Sequence, residues 1–341
     1  MKIRLSFFMV LLFSSILAGE SKEYLTIKRA AQLAADKKKM LVVEFWAPSC
    51  NPCMGLKRDI FDNSFYAEFI NKQFHLIKVS PADSVYKPLW KYYNLEYQST
   101  VIYVDAHGNE MDRTVGYNGD RDGYIAVMKE IARRKNLYKD VVRQYRRDTL
   151  NVSNGYAMAR KLATRYEFHD ALKLFQRVLH SDPKNNLGRQ AECIFRIAEI
   201  DLTLTGSFTK MRDFVTTFPK NPFAPKAYVY LINDLMNKQD KTGCLSFCES
   251  GLSKYPDSWE ILNKYAWAIC TFKIKEDYPK ALSMVQKSIS LNPARPGTYS
   301  TEAWIHFEMG DKAKAIQLQK MAVKIFPDAG FVKDLATFEN N

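Results

Sequence analysis

The stretch Met40-Leu41-Val42-Val43-Glu44-Phe45-Trp46-Ala47-Pro48-Ser49-Cys50-Asn51-Pro52-Cys53 decides how this 341-residue chain reads. The apolar run Met40 to Trp46 predicts a buried strand. It delivers a Cys-x-x-Cys onto the first turn of a helix, where unpaired N–H groups and a partial positive charge favour a thiolate over a thiol. Pro52 suits that turn, because it has no N–H to leave unpaired and its φ is already near helical. The thiolate attacks disulfides, so Cys50, the outer cysteine, is read as the nucleophile. Cys53, one turn further in, then resolves the mixed disulfide.

Outward from this motif, residues 23–135 alternate between helical and strand patterns. Helices are predicted over Tyr24–Lys38, Cys53–Phe61, Phe65–Asn71, Val85–Tyr93 and Arg121–Arg134. Strands are predicted over Met40–Trp46, Phe74–Val79, Thr100–Asp105 and Glu110–Val115, the last two joined by the turn His107-Gly108-Asn109. Alternation followed by a hairpin and a final helix implies a mixed α/β sheet with helices on its faces.

The segment from Val43 to Cys53 resembles the active-site signature of thioredoxin-fold domains. Ile60-Phe61-Asp62-Asn63 and Phe69-Ile70-Asn71 are similar to the extracytoplasmic thiol-disulfide reductases of that fold, and Val104 to Gly108 with Gly116-Tyr117 fit its closing strands. The resemblance covers about a third of the chain. It implies catalytic roles for Cys50, Cys53 and Glu44, with Glu44 as the buried acid that takes the Cys53 proton. Burial disfavours the charged carboxylate and raises its pKa; an edge-strand Glu44 facing solvent is the alternative. Trp46, Ser49, Asn51, Pro52 and Ser99 are implied to line the place where a client binds, with Trp46 as a packing wall. Two positions depart from the family. There is no proline between Pro88 and Pro183, so Ser99 stands where the family carries a cis-proline, and Ser49 replaces an aromatic residue. Without proline a cis bond costs about 2.5–4 kcal/mol, so Gln98–Ser99 is expected trans.

The rest of the chain repeats. Ala171, Phe175, Val178 and Pro183 share offsets of 0, 4, 7 and 12 with Ala281, Val285, Ser288, Pro293 and with Ala315, Gln319, Ala322, Pro327. Weaker copies are Ser207, Met211, Phe214, Pro219 and Cys244, Cys248, Gly251, Pro256. The small residue lets two helices approach, the next two extend an apolar stripe, and the proline ends the helix. The step from Pro293 to Pro327 is 34 residues, and the pattern resembles tetratricopeptide repeats, paired helices with that period. Such arrays hold protein partners. The aromatic residues Tyr228, Tyr230, Tyr265, Trp267, Tyr299 and Trp304 are read as core.

Lys2 and Arg4 followed by the apolar run Leu5–Leu17 and the small pair Ala18-Gly19 read as a secretory signal peptide, too short to span a bilayer. The protein is therefore expected in the periplasm and not in the membrane. The net charge of +13 gathers partly in Arg133, Arg134, Lys135, Lys139, Arg143, Arg146 and Arg147. In a secreted protein this is read as a solvated helix face, with attraction to anionic lipid or an acidic partner as the sharper possibility, and no nucleic acid. Cys244 and Cys248 fill core positions of a repeat, and Cys193 and Cys270 read as buried thiols. The histidines are scattered and no second Cys-x-x-Cys exists, so no metal and no cofactor are expected.

The expected organisation is a signal peptide (1–19), a thioredoxin-like α/β domain (20–135), a helical linker (136–151) and an all-α tetratricopeptide-like solenoid (152–341). The expected function is thiol-disulfide exchange, more a reduction than an oxidation, on a protein client held by the repeats, with electrons from a separate donor. The alternative is a non-catalytic scaffold or chaperone-like adaptor.

Overall fold

The computed structural model describes residues 22–340, so the signal-peptide segment lies outside the described residues. The chain divides into two units: residues 22–55 with 69–139, and residues 56–68 with 140–340.

In the first unit, α1 (Lys22–Asp36), β1 (Met40–Phe45) and α2 (Asn51–Leu56, its last residue already in the second unit) come first. They are followed by α3 (Ala67–Gln73, its first two residues in the second unit), β2 (Phe74–Val79), α4 (Tyr86–Tyr92), β3 (Thr100–Val104), β4 (Glu110–Val115) and α5 (Arg121–Ala132). The four strands form one mixed sheet of order β2-β1-β3-β4, in which β1 is parallel to β2 and antiparallel to β3. Side chains alternate between faces. Leu41, Val43 and Phe45 therefore join Ile27, Ala31, Leu89 and Tyr93 in one core layer. Val42 and Glu44 point to the opposite face.

Two predicted helices differ in detail. The one expected over Cys53–Phe61 is α2 followed by a π-helical turn, Lys57–Phe61, closed by Asp62 N–H on the Lys57 carbonyl at 2.9 Å. The wider turn buries Asp59 and Ile60 side by side. The helix expected from Phe65 begins at Ala67, because Asn63 Oδ1 accepts the Phe65 N–H at 3.0 Å and holds a turn there.

Helix α6 (Tyr138–Arg147) follows, and then five helix pairs build the second unit. They are α7 (Val152–Thr164) with α8 (Phe168–Ser181), α9 (Gln190–Thr205) with α10 (Thr209–Thr217), and α11 (Ala224–Asn237) with α12 (Lys241–Lys254). Next come α13 (Trp259–Thr271) with α14 (Tyr278–Leu291) and α15 (Pro296–Glu308) with α16 (Lys312–Ile325), and α17 (Ala329–Asn340) closes the chain. The second helix of every pair ends two residues before its proline, at 183, 219, 256, 293 or 327. The reason is local: a residue preceding proline is pushed out of the α region.

The residues at offsets 0, 4 and 7 form the core, except Ser207, which is half-buried in the turn ahead of α10. Ala171, Phe175, Ala281, Val285, Ala315 and Ala322 are fully buried, as are Cys244 and Cys248 of a weaker copy. Burying a side chain such as Phe175 contributes about 1.5–3 kcal/mol. Two polar residues at these apolar positions have backbone partners: Ser288 Oγ donates to the Trp259 carbonyl at 2.7 Å, and Gln319 Nε2 to the Phe331 carbonyl at 2.9 Å. Of the aromatic residues read as core, Tyr228, Tyr265 and Tyr299 are buried, whereas Tyr230, Trp267 and Trp304 are half-buried.

Candidate functional site

Cys50 and Cys53 are joined in a disulfide with their Cα atoms 5.3 Å apart. Cys50 is the residue before α2, and its carbonyl accepts the first helical bond, from Met54 N–H at 3.1 Å. Its own Sγ accepts the Cys53 N–H at 3.3 Å. That sulfur therefore occupies the place of a capping oxygen, receiving a donor the helix cannot otherwise satisfy. No acidic residue stands in the first turn of α2 to oppose a negative charge. Cys53 is 1% exposed and Cys50 half-buried, so an incoming thiol or disulfide meets Cys50 first.

Glu44 is 1% exposed and lies on β1, an interior strand of the sheet, not an edge. The parallel register sets it opposite Lys78, whose Nζ is 3.7 Å from Oε2. Above the same face, Tyr124 Oη and Thr114 Oγ1 are 2.8 Å apart. Burial pushes the Tyr124 phenol well up; the Thr114 and Tyr103 hydroxyls oppose that and the Glu44 charge adds to it. Tyr124 thus stays protonated beside the acid. Its ring meets Tyr117 edge-on at 5.8 Å, and Tyr117 lies against Gly55 of α2, where an added Cβ would come within 2.8 Å of Tyr117 Cδ1. A line of contacts thus runs from the helix of the cysteines through Tyr117 to Tyr124, whose phenol feels the Glu44 charge.

Ser99 is buried at the entry to β3, in the left-handed region with φ of 59°. Few residues other than glycine adopt that conformation. It is held there by its N–H on the Phe45 carbonyl at 3.0 Å and by the Gly116 N–H on its own carbonyl at 2.9 Å. Its Oγ is buried with no hydrogen-bond partner among the described residues. No cis peptide bond occurs among them. Backbone strain and an unused buried donor meet at the loop tied to the end of β1. Of the other residues read as lining the site, Ser49 and Asn51 are exposed, and Trp46 and Pro52 half-buried, on the segment leaving β1.

Lys78, Tyr124 and Gly55 are not among the residues read from the sequence, and Tyr117 is read there only as part of a closing strand, not of the site. Lys78 could have been found from the parallel pairing of its strand with that of Glu44; the other three become neighbours only through packing.

The remaining cysteines, Cys193, Cys244, Cys248 and Cys270, are free and buried. Burial pushes the thiols of Cys193 and Cys270 up to about 12. A hydrogen bond shared with Cys244, together with burial, raises Cys248 further. Among the described residues no three His, Cys, Asp or Glu side chains cluster as a metal would require, and no helix is long and apolar enough to cross a membrane.

No protein-family model matches the chain, and no curated protein does. Solved structures do. A thermophilic TPR protein of Thermus thermophilus is 18% identical, with a TM-score of 0.38 over 55% of this chain and 99% of that one. YrrB, described as a TPR protein with an unusual peptide-binding site, is 11% identical, with a TM-score of 0.40 over 58% and 97%. Yeast Tom70 is 16% identical, with a TM-score of 0.46 over 59% of this chain and 42% of its own.

Proposed function

We propose that this protein is an extracytoplasmic adaptor in which a tetratricopeptide-like array holds a protein client. The supporting observation is the shared register of five helix pairs, each ending two residues before its proline and each packing its offset-4 and offset-7 residues inward. Units that stack in this way bury a continuous core and leave long surfaces for a partner.

A second reading is supported by the Cys53 N–H directed at Cys50 Sγ. In it, the first unit is a thioredoxin-like domain and the adaptor exchanges disulfides with its client. The Cys50 thiolate attacks a client disulfide, forming a Cys50–client mixed disulfide and releasing one client thiolate. Cys53 then attacks Cys50 Sγ, releasing the second client thiol and leaving the Cys50–Cys53 disulfide. Glu44 takes the Cys53 proton, Lys78 stabilises its carboxylate, and Ser99 shapes the loop beside the client. A separate dithiol donor returns the pair to the reduced state.

Purification of the Cys53→Ser chain from its own cells tests both readings. An adaptor retains a discrete client that is released without reductant. An oxidoreductase retains it as an adduct that dithiothreitol cleaves and that Cys50→Ser abolishes. Absence of any client in either variant overturns both readings.

A further inference from the structure

The segment from Arg133 to Leu150 plays no part in either reading, yet it carries the most concentrated charge of the chain. Arg133, Arg134, Lys135, Lys139, Arg146 and Arg147 are all exposed, and none has an ion-pair or side-chain hydrogen-bond partner among the described residues. Arg143 adds a seventh cation, 3.7 Å from Asp140. On α6 the cations stand at 139, 143, 146 and 147, a spacing that puts them along one stripe. The opposite stripe holds Tyr138, Val141 and Tyr145, each at least half-buried. Val141 is fully packed, Tyr138 N–H donates to Asp112 Oδ2 at 3.2 Å, and Tyr145 Oη accepts Arg177 Nη2 at 2.8 Å. The helix is therefore fixed by its apolar side and offers its cationic side outward.

Helix stability accounts for only part of this. Arg146 and Arg147 in the last turn complement the macrodipole, but Lys139 in the first turn opposes it, and Arg133 to Lys135 precede the helix. From Lys139 to Arg147 the stripe is about 12 Å long at 1.5 Å per residue, and successive cations rise only about 1.5–6 Å from one another, inside the screening length of about 8 Å at physiological salt. Its charges thus act together on whatever lies against it. At the end of the stripe Leu150 is 86% exposed.

We propose that this stripe docks the protein on a bilayer surface of anionic lipid headgroups. A row of exposed cations on one helix, all but Arg143 unpaired among the described residues, matches a plane of mobile anions, which needs no fixed spacing of partners. The exposed leucine beside it can enter the interface, whereas the tyrosines that could stack on nucleic-acid bases are turned inward. The chain lies on the membrane by this helix; no helix of the described residues is long and apolar enough to cross it.

The test is partition of the full chain onto phosphatidylglycerol–phosphatidylcholine vesicles, with pure phosphatidylcholine vesicles reporting any binding by the apolar N-terminal run. Lys139→Gln, Arg146→Gln and Arg147→Gln together are expected to weaken the anionic-specific part about a hundred-fold, roughly fivefold per charge. Lys241→Gln, Lys324→Gln and Lys333→Gln, exposed cations on α12, α16 and α17, make the same change of net charge and are expected to leave it nearly intact. Raising the salt from 0.1 M to 1 M should abolish it. Equal binding to both vesicle types, or equal loss in both triple variants, overturns the proposal. So does a soluble acidic peptide that binds the stripe when the vesicles do not.

Discussion

At the scale of the residue, the chemistry turns on which of six cysteines can become a thiolate. Cys50 has a helix N–H on its sulfur, whereas Cys193 and Cys270 lie where burial pushes their thiols up to about 12. In the reduced native protein at pH 7, iodoacetamide should label Cys50 first and leave Cys193 and Cys270 untouched until unfolding. Peptide mass spectrometry of quenched samples reads the order. Labelling of Cys193 as fast as Cys50 would contradict it. Gly55 makes a second prediction, in which two effects compete. Alanine gains about 1 kcal/mol over glycine in a helix, but its Cβ would meet the Tyr117 ring at 2.8 Å. Overpacking of this kind costs about 1–3 kcal/mol, so Gly55→Ala should destabilise the first unit. In a Tyr117→Ala background the same change should turn stabilising, which a double-mutant cycle by urea unfolding checks.

At the scale of the element, the hairpin turn rests on Asp105, which accepts the N–H groups of His107 and Asn109 at 2.9 and 3.0 Å. Partial burial pushes the Asp105 carboxyl up, but those bonds and the Asn109 side chain outweigh it and leave the pKa below its ordinary 3.8. A depressed carboxyl contributes stability that is present above the unfolded value and lost as pH falls through the folded one. Asp105→Ala should therefore cost about 1 kcal/mol at pH 7. The gap to the parent should close below pH 3.8, in denaturant curves taken at both ends. In the repeats, Phe175→Ala should cost about 3–5 kcal/mol, because Phe175 is fully buried at the shared offset. Ser288→Ala, which removes one hydrogen bond to Trp259, should cost only about 1 kcal/mol. Reversal of that order would contradict the core assignment.

The elements were legible where the signal is local. The strands Phe74–Val79 and Glu110–Val115 run over the residues predicted for them, and five prolines mark five helix ends. The π-helical turn was hidden because its wider turn depends on burying Asp59 and Ile60 together, a tertiary event. The candidate site divides in the same way. Cys50, Cys53 and Glu44 stand out by residue type and neighbourhood, whereas the left-handed Ser99, the Lys78 partner of Glu44 and the Tyr117 ring on Gly55 exist only once the sheet register is set.

At the scale of the whole molecule, the chain joins a small mixed sheet bearing a cysteine pair to a stack of helix pairs, each unit with its own core. The combination makes sense if one unit acts on what the other holds, and the activity of Cys50 decides whether it does. The measurement that tests this most directly is equilibration of the Cys50–Cys53 pair against dithiothreitol and glutathione buffers, with Cys50→Ser as the blank. An adaptor that also exchanges disulfides with its client predicts a reversible couple, near or below about −230 mV for a reductase, with Cys50 alkylating below the ordinary thiol pKa of about 8.5. No reversible couple, with Cys50 as slow as an unactivated thiol, would contradict exchange and leave the adaptor reading, with the helical array as the functional part.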